Sequence, residues 1–327
     1  MREAMFYQKL PDNKVKCELC PNYCIISEGE QGKCRGRENI SGKLIATNYG
    51  KTVSVNIDPI EKKPLYHYYP GSQILSLGAN SCNLECIFCQ NYEISQETHP
   101  TQFLPAKDLL DMMLRNNLNQ VAFTYTEPFT WYEYIYDCEK LFVDNGIRIV
   151  LVTNGYVNAE PLENMIQFID AMNIDLKSIR ESFYTKACQG TLAPVLETIK
   201  TAATKCHVEL TNLIIPGLND SVQDIVDLVG FVKSINSDIP LHFSRYFPRW
   251  KCTKPITGED ILLTAYEIAK ESLNYVYIGN IPAGNYSDTH CPKCQELIIK
   301  RNDYNIEKHN LNGNKCNRCG HMLYGQF

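Results

Sequence analysis

The sequence has no excess of positive charge. Its 32 lysines and arginines stand against 37 aspartates and glutamates, a net charge of −5 at pH 7. That balance offers no global basic field to nucleic acid and disfavours RNA, although a local basic patch stays open. Long apolar runs are also missing, and none approaches the ~18 residues that cross a bilayer. Met1 to Lys14 contains neither an apolar core nor a cleavage site, the marks of a secretory leader. The expectation is a soluble, cytoplasmic protein with no membrane partner. Histidine is scarce, with seven in 327 residues, which matters below.

Cysteine is abundant, with 15 residues. In a secreted chain that number reads as a disulfide framework; in a cytosolic one it reads as metal or cluster ligation. The count is odd, and eleven of the fifteen fall into tight groups: Cys17, Cys20, Cys24 and Cys34; then Cys82, Cys86 and Cys89; then Cys291, Cys294, Cys316 and Cys319. Metal ligation fits that spacing. Cys138, Cys188, Cys206 and Cys252 are scattered and read as small buried hydrophobes. Cys252 follows the sixth strand run and is the one marked for a functional position.

The texture of the chain changes twice. Residues 1–70 are cysteine-bearing and turn-rich, with short strand candidates at Lys43–Thr47 and Val53–Ile57. Residues 71–286 alternate apolar runs with amphipathic stretches. The runs are ILSLGAN, VAFTY, IRIVLVTNG, NIDLK, HVELTNLII, PLHFSRYF and YVYIGN. Several are almost wholly apolar, as strands buried on both faces are. Between them, Leu262, Ala265, Tyr266 and Ala269 mark one helical face, and Asp220 or Ser221 stands where it would cap a helix beginning at Val222. Repeated β–α units of this kind predict an α/β fold, a partial (β/α)6 TIM-like barrel, with a flat doubly wound sheet as the alternative. Residues 287–327 form a short module around two cysteine pairs.

In parallel α/β folds chemistry gathers at the C-terminal ends of the strands. SCNLECIFCQN, from Ser81 to Asn91, directly follows the first strand run. A structural zinc site wants four ligands, and a catalytic one with three usually includes histidine; no histidine lies in this loop. A four-iron cluster held by three thiolates keeps one iron open. The C-x3-C-x2-C spacing, with Phe88 before the third cysteine, resembles the radical S-adenosylmethionine (SAM) superfamily. The resemblance implies a [4Fe–4S] cluster on Cys82, Cys86 and Cys89. Its open iron would bind SAM, which is cleaved reductively to a hydrogen-abstracting 5′-deoxyadenosyl radical. Other strand ends agree. Thr126, Glu127 and Pro128 stand where activating enzymes of that superfamily carry a Gly-Gly-Glu-Pro-like motif, although Tyr125 and Thr126 replace the glycines. Asn154, Asp175 and Lys177 follow the third and fourth strands. Phe88, Thr126, Glu127, Asn154, Asp175, Lys177 and Arg245 are thus the expected SAM contacts, in a pattern resembling the pyruvate formate-lyase activating enzyme. His242, Ser244 and Arg245, at the sixth strand end, are candidate pocket residues.

Cys291, Cys294, Cys316 and Cys319 read as a closed zinc ribbon, with a rubredoxin-like iron as alternative. Cys17, Cys20, Cys24 and Cys34 suit either zinc or an auxiliary iron–sulfur cluster. CELCPNYC, GEQGKC, IDPIEKKPLYHYYPG, the three-cysteine loop and the terminal ribbon together resemble, from about Lys16 to Gly325, the radical SAM protein family of the AmmeMemoRadiSam system. That resemblance implies AMMECR1-like and Memo-like partners besides a reductant such as flavodoxin or ferredoxin; it supplies no substrate. Within IDPIEKKPLYHYYPG, Glu61, Lys62 and Lys63 read as a solvated charge cluster, and the loop as one that covers the barrel mouth or packs on the core. Two competing readings remain at this level. A non-catalytic iron–sulfur or zinc scaffold or electron carrier would need a fully ligated central cluster. A zinc hydrolase would need His207 and His242 as ligands.

Overall fold

Apolar runs too short for helices, and buried on both faces, have one stable outcome: a parallel sheet covered by helices. All seven runs form such strands. The computed structural model describes residues 2–281 and 285–327. Its central sheet contains β1 (Lys51–Pro59), β2 (Gln73–Ala79), β3 (Gln102–Phe103), β4 (Gln120–Phe123), β5 (Arg148–Thr153), β6 (Ala171–Asp175), β7 (His207–Ile214), β8 (Leu241–Arg245) and β9 (Val276–Gly279). The spatial order is β9-β8-β7-β6-β5-β4-β2-β1-β3. From β2 to β9, β3 apart, every pairing is parallel. β1 and β3 add on antiparallel.

Helices α1 (Ala106–Arg115), α2 (Tyr132–Val143), α3 (Ala159–Met165), α4 (Ala193–Ala203), α5 (Val222–Ile235) and α6 (Glu259–Lys270) make the six crossovers. Ser221 caps α5, its Oγ accepting from the Asp224 N–H at 3.1 Å. The sheet therefore has six βα units and a seventh parallel strand. It is open, with β9 and β3 at its edges. The first texture change, near residue 70, is not a break in the sheet: β1 lies before it and pairs along the length of β2.

Two buried carboxylates tie the flanking segments to this sheet. Glu133, on α2, takes two 2.8 Å bonds from Arg37 and one of 2.7 Å from the Met5 N–H. Both members of that ion pair are only 1% exposed. Glu209, in β7, accepts from the Tyr66 and His67 N–H groups at 3.0 and 2.7 Å, and pairs with His207 and His242 at 3.0 and 2.7 Å. His67 extends the tie to the C-terminal module, its Nδ1 lying 2.7 Å from the Tyr324 carbonyl. Beside it, the Tyr69 N–H donates to the Gln326 carbonyl and the Gln326 N–H to the His67 carbonyl. Gly325 makes that approach, with φ +127°; a Cβ there would collide with the His67 carbonyl.

Removing one partner of a buried pair strands the other charge. Glu133→Ala should lower folding stability by about 3–5 kcal/mol, read as a shift in the urea midpoint. A shift below about 1 kcal/mol would mean that Arg37 finds another partner or water. Burial pushes the His67 imidazole down to about 3 from an ordinary 6.5. The unfolded chain then binds a proton that the folded chain refuses. Stability from this group is complete above about 6.5 and is lost as pH falls toward about 3. His67→Gln should flatten that acid slope when stability is compared at successive pH values; an unchanged slope would show that His67 does not set it.

Candidate active site

The loop after β2 is fixed before any ligand arrives. Asn83 Nδ2 donates to the Tyr156 carbonyl at 2.6 Å, and the N–H groups of Glu85 and Ile87 donate to the carbonyls of Cys188 and Ala187, both at 2.9 Å. Ser81 Oγ meets Thr130 Oγ1 at 2.6 Å. So held, Cys82, Cys86 and Cys89 open into one cavity of about 330 Å3 at the C-terminal ends of the strands. Phe88, Thr126, Asn154, Asp175 and Lys177, read from sequence as cofactor contacts, line the same cavity.

Two further residues of that expectation lie elsewhere. Glu127 is buried behind the wall. Its carboxylate accepts from the Phe129 N–H at 3.0 Å, Thr153 Oγ1 at 2.7 Å and the Asn154 N–H at 2.8 Å. Burial still lifts its pKa to about 7 against those bonds. It clamps the ends of β4 and β5 and positions Asn154. Arg245 turns to the Thr257 carbonyl at 2.9 Å and to Glu259 at 3.4 Å, and does not line the cavity. Ser244 beside it does. His242 and His207 both pair with Glu209 through Nε2, and neither lines the thiol cavity.

The sequence reading missed other members. Lys62 and Lys63 both line the cavity; Lys62 is exposed, as a solvated cluster would have it, but Lys63 and Glu61 are buried. Lys63 is 2% exposed and bonds Asp58 at 2.8 Å, while Glu61 is buried and accepts from the Gly71 N–H at 2.8 Å. Tyr125 stands where the motif has glycine, and the backbone keeps the glycine conformation, φ +68°. Its hydroxyl is anchored to Asp58 at 2.7 Å, and its Cβ packs where only Gly78 leaves room. Cys188 is beside Cys86, and their contact together with burial holds the Cys86 thiol well above its ordinary pKa. Cys252, the scattered cysteine singled out in the sequence, is buried away from the cavity.

The electrostatics suit a guest that carries charges of both signs. Lys177 Nζ is 2.7 Å from Asp175. Burial alone would lower the Lys177 pKa, but Asp175, Cys86 and Cys188 hold it well above the usual value. It stays a cation facing the cavity. Cys82 and Cys89 each have a polar neighbour, Asn154 Nδ2 at 3.8 Å and Ser95 Oγ at 3.0 Å. Burial raises the pKa of both thiols and keeps them protonated until a metal displaces the protons. Among the described residues, Cys291, Cys294, Cys316 and Cys319 form the one group of three or more ligand atoms lying within 4.8 Å of one another. These four can hold a single metal ion. The three loop thiols are not gathered that tightly.

Thr153 carries the clamp. Thr153→Val keeps the shape and removes a buried donor to Glu127, so it should cost about 1–3 kcal/mol in the urea midpoint. A midpoint equal to wild type would show that Glu127 needs no such partner.

A family model described as the radical SAM superfamily matches residues 77–231, the stretch that carries the thiol loop and β2 to β7. An uncharacterized protein of Methanocaldococcus jannaschii, MJ0808, is 45% identical over 332 residues, covering 99% of each chain. A pyruvate formate-lyase-activating enzyme of Staphylococcus epidermidis is 22% identical over 232 residues, covering 65% of this chain and 92% of the relative. Among solved structures, a radical SAM methyltransferase from Sphaerobacter thermophilus shares the fold at TM-score 0.53 and 12% identity, covering 70% of this chain and 71% of that one. Radical SAM enzymes work with a [4Fe–4S] cluster, SAM and an electron donor such as flavodoxin or ferredoxin. Among the described residues, no helix is long and apolar enough to cross a membrane. Three thiols at the end of the first parallel strand, facing a lysine–aspartate pair inside a matched family stretch, make this chain a radical SAM enzyme, a member of that superfamily.

Proposed function

We propose that Cys82, Cys86 and Cys89 hold a [4Fe–4S] cluster with one iron left open, that SAM occupies the 330 Å3 cavity, and that the enzyme abstracts hydrogen from a macromolecular substrate. The observation that carries this reading is the cavity lining: three thiols from one loop, no fourth among the described lining residues, and a half-buried cation, Lys177, in the same wall. When bound, cluster and SAM together supply one-electron cleavage of a sulfonium and a hydrogen-abstracting radical. The chain's own residues bind and orient. Lys177 meets the SAM carboxylate, Asp175 its hydroxyls, Phe88 presents an aromatic face, and Thr126 and Asn154 offer polar contacts. Glu127 acts from behind by fixing Asn154.

A second space supports a large substrate. A groove of about 800 Å3 lies between the ends of β7 to β9 and the C-terminal module, and it meets the cavity at Lys62, Thr211 and Ser244. Tyr66, His242 and Arg301 give it a polar, aromatic floor suited to an extended peptide. An activating-enzyme-like role on a protein residue follows, with AMMECR1-like and Memo-like proteins as the first partners to try. The C-terminal thiols are read as a structural zinc site. Tetrahedral coordination at a zinc–sulfur distance of about 2.3 Å sets sulfurs about 3.8 Å apart. Cys291–Cys319 and Cys294–Cys316 stand at 3.6 and 3.7 Å.

Anaerobic reconstitution with iron and sulfide, reduction with dithionite and paramagnetic resonance with and without SAM test the catalytic reading. The reduced-cluster signal should change on SAM addition, 5′-deoxyadenosine should form, and Cys86→Ala should lose both. Lys177→Ala should weaken SAM binding by about tenfold or more, the worth of a charge-assisted bond. A well-formed cluster whose spectrum ignores SAM would overturn the proposal in favour of an electron carrier.

A further inference from the structure

The four N-terminal cysteines are not used by that chemistry, yet they surround a common space. Cys17, Cys20, Cys24 and Cys34 line one small pocket, walled by Leu19 and Ile26. Cys17 ends one strand of a three-stranded antiparallel sheet, and its N–H donates to the Cys24 carbonyl at 2.9 Å, which holds the two thiol-bearing segments together. Cys17, Cys20 and Cys34 are buried and Cys24 is half-buried. Four convergent thiols in an apolar wall have no structural use as thiols: each is a poor donor, and together they leave the wall underpacked.

Arg37 supplies the second observation. Its guanidinium lines the pocket and is 1% exposed. Glu133 takes its terminal nitrogen, and its other terminal nitrogen donates to the Met5 carbonyl at 3.3 Å. Nε is buried without a partner. A buried cationic donor without an acceptor is costly, and here the pocket that Arg37 lines also carries the four thiols. An anionic, sulfur-rich guest would satisfy it, because N–H donors to sulfur are a standard support of iron–sulfur clusters.

The spacing of the thiols then separates one ion from a cluster. At the C-terminal site the same chain gathers four sulfurs within 4.8 Å, as one tetrahedral ion requires. At the N-terminal site no three of the four are gathered that tightly, although all line one pocket. Sulfurs held apart around a shared space suit a guest several ångströms across.

We infer that Cys17, Cys20, Cys24 and Cys34 hold a second, fully ligated [4Fe–4S] cluster, with the Arg37 Nε–H donating to it. The site is built against the first. Asn83, the residue after Cys82, is part of its wall, and Asn22 Nδ2 donates to the Asn83 carbonyl at 2.7 Å. With four cysteine ligands it has no open iron and does not bind SAM.

This inference does not rest on SAM chemistry, so it is tested in a protein that cannot perform it. The full-length Cys82→Ala, Cys86→Ala, Cys89→Ala variant is reconstituted anaerobically with ferrous iron and sulfide. Iron, sulfide and zinc are then counted, and the spectrum is recorded after dithionite. The variant should keep about four irons and four sulfides per chain and a reduced-cluster signal that SAM does not move. Wild type should carry about eight irons with about one zinc, and Cys20→Ser with Cys34→Ser should return it to about four irons with a SAM-sensitive signal. Wild-type protein with about four irons, whether with a second zinc or with the N-terminal site vacant, overturns the inference even where the triple variant fails to fold.

Discussion

One buried carboxylate ties the three parts of the sequence together. Glu209 is fully enclosed in β7, and a lone charge there would be prohibitively costly. Two backbone N–H groups and two imidazoles surround it, and together they hold its pKa far below the ordinary carboxylate range despite burial. The backbone donors belong to Tyr66 and His67, so the loop before β2 has little freedom to lift from the sheet. That attachment brings Lys62 and Lys63 to the cavity and stacks Arg301 of the C-terminal module over Tyr66, at 4.2 Å. Cavity, groove and module thus share one anchor.

The site follows from the same economy. Carboxylates that seem available for ligands are committed to the frame: Glu127 to the ends of β4 and β5, Glu133 to Arg37, Glu209 to the histidines. The titratable groups left facing the cavity are the three thiols, the Asp175–Lys177 pair, Lys62, Lys63 and Tyr125, on a backbone that other groups hold still. This is the division of labour that preorganised sites show, with positioning bonds behind and reactive groups in front.

Much of this was legible in the sequence, for physical reasons that differ by element. The seven strands could be read because strands buried on both faces need apolar residues throughout, a local signal. The thiol loop could be read because a cluster fixes ligand spacing within a few residues. Glu127 was misplaced because a carboxylate's direction is set by donors on β5, which no local pattern displays. Arg245 was misplaced for the same reason, drawn off by Thr257 and Glu259. Lys63 and Glu61 look solvated in sequence because nothing nearby announces Asp58 and Gly71, which bury them. Cys188 reaches Cys86 only through the loop hydrogen bonds at Glu85 and Ile87, a contact between distant parts of the chain. Tyr125 shows the converse: the motif's glycine conformation persists after the glycine is gone, with Asp58 holding the side chain that replaced it.

The backbone stitch between His67–Tyr69 and Gln326 has a consequence for how the protein folds. It pairs residues far apart in the sequence, so the loop before β2 is fixed only once the C-terminal module docks. Contacts of such long sequence separation slow folding, since loop closure comes before any gain.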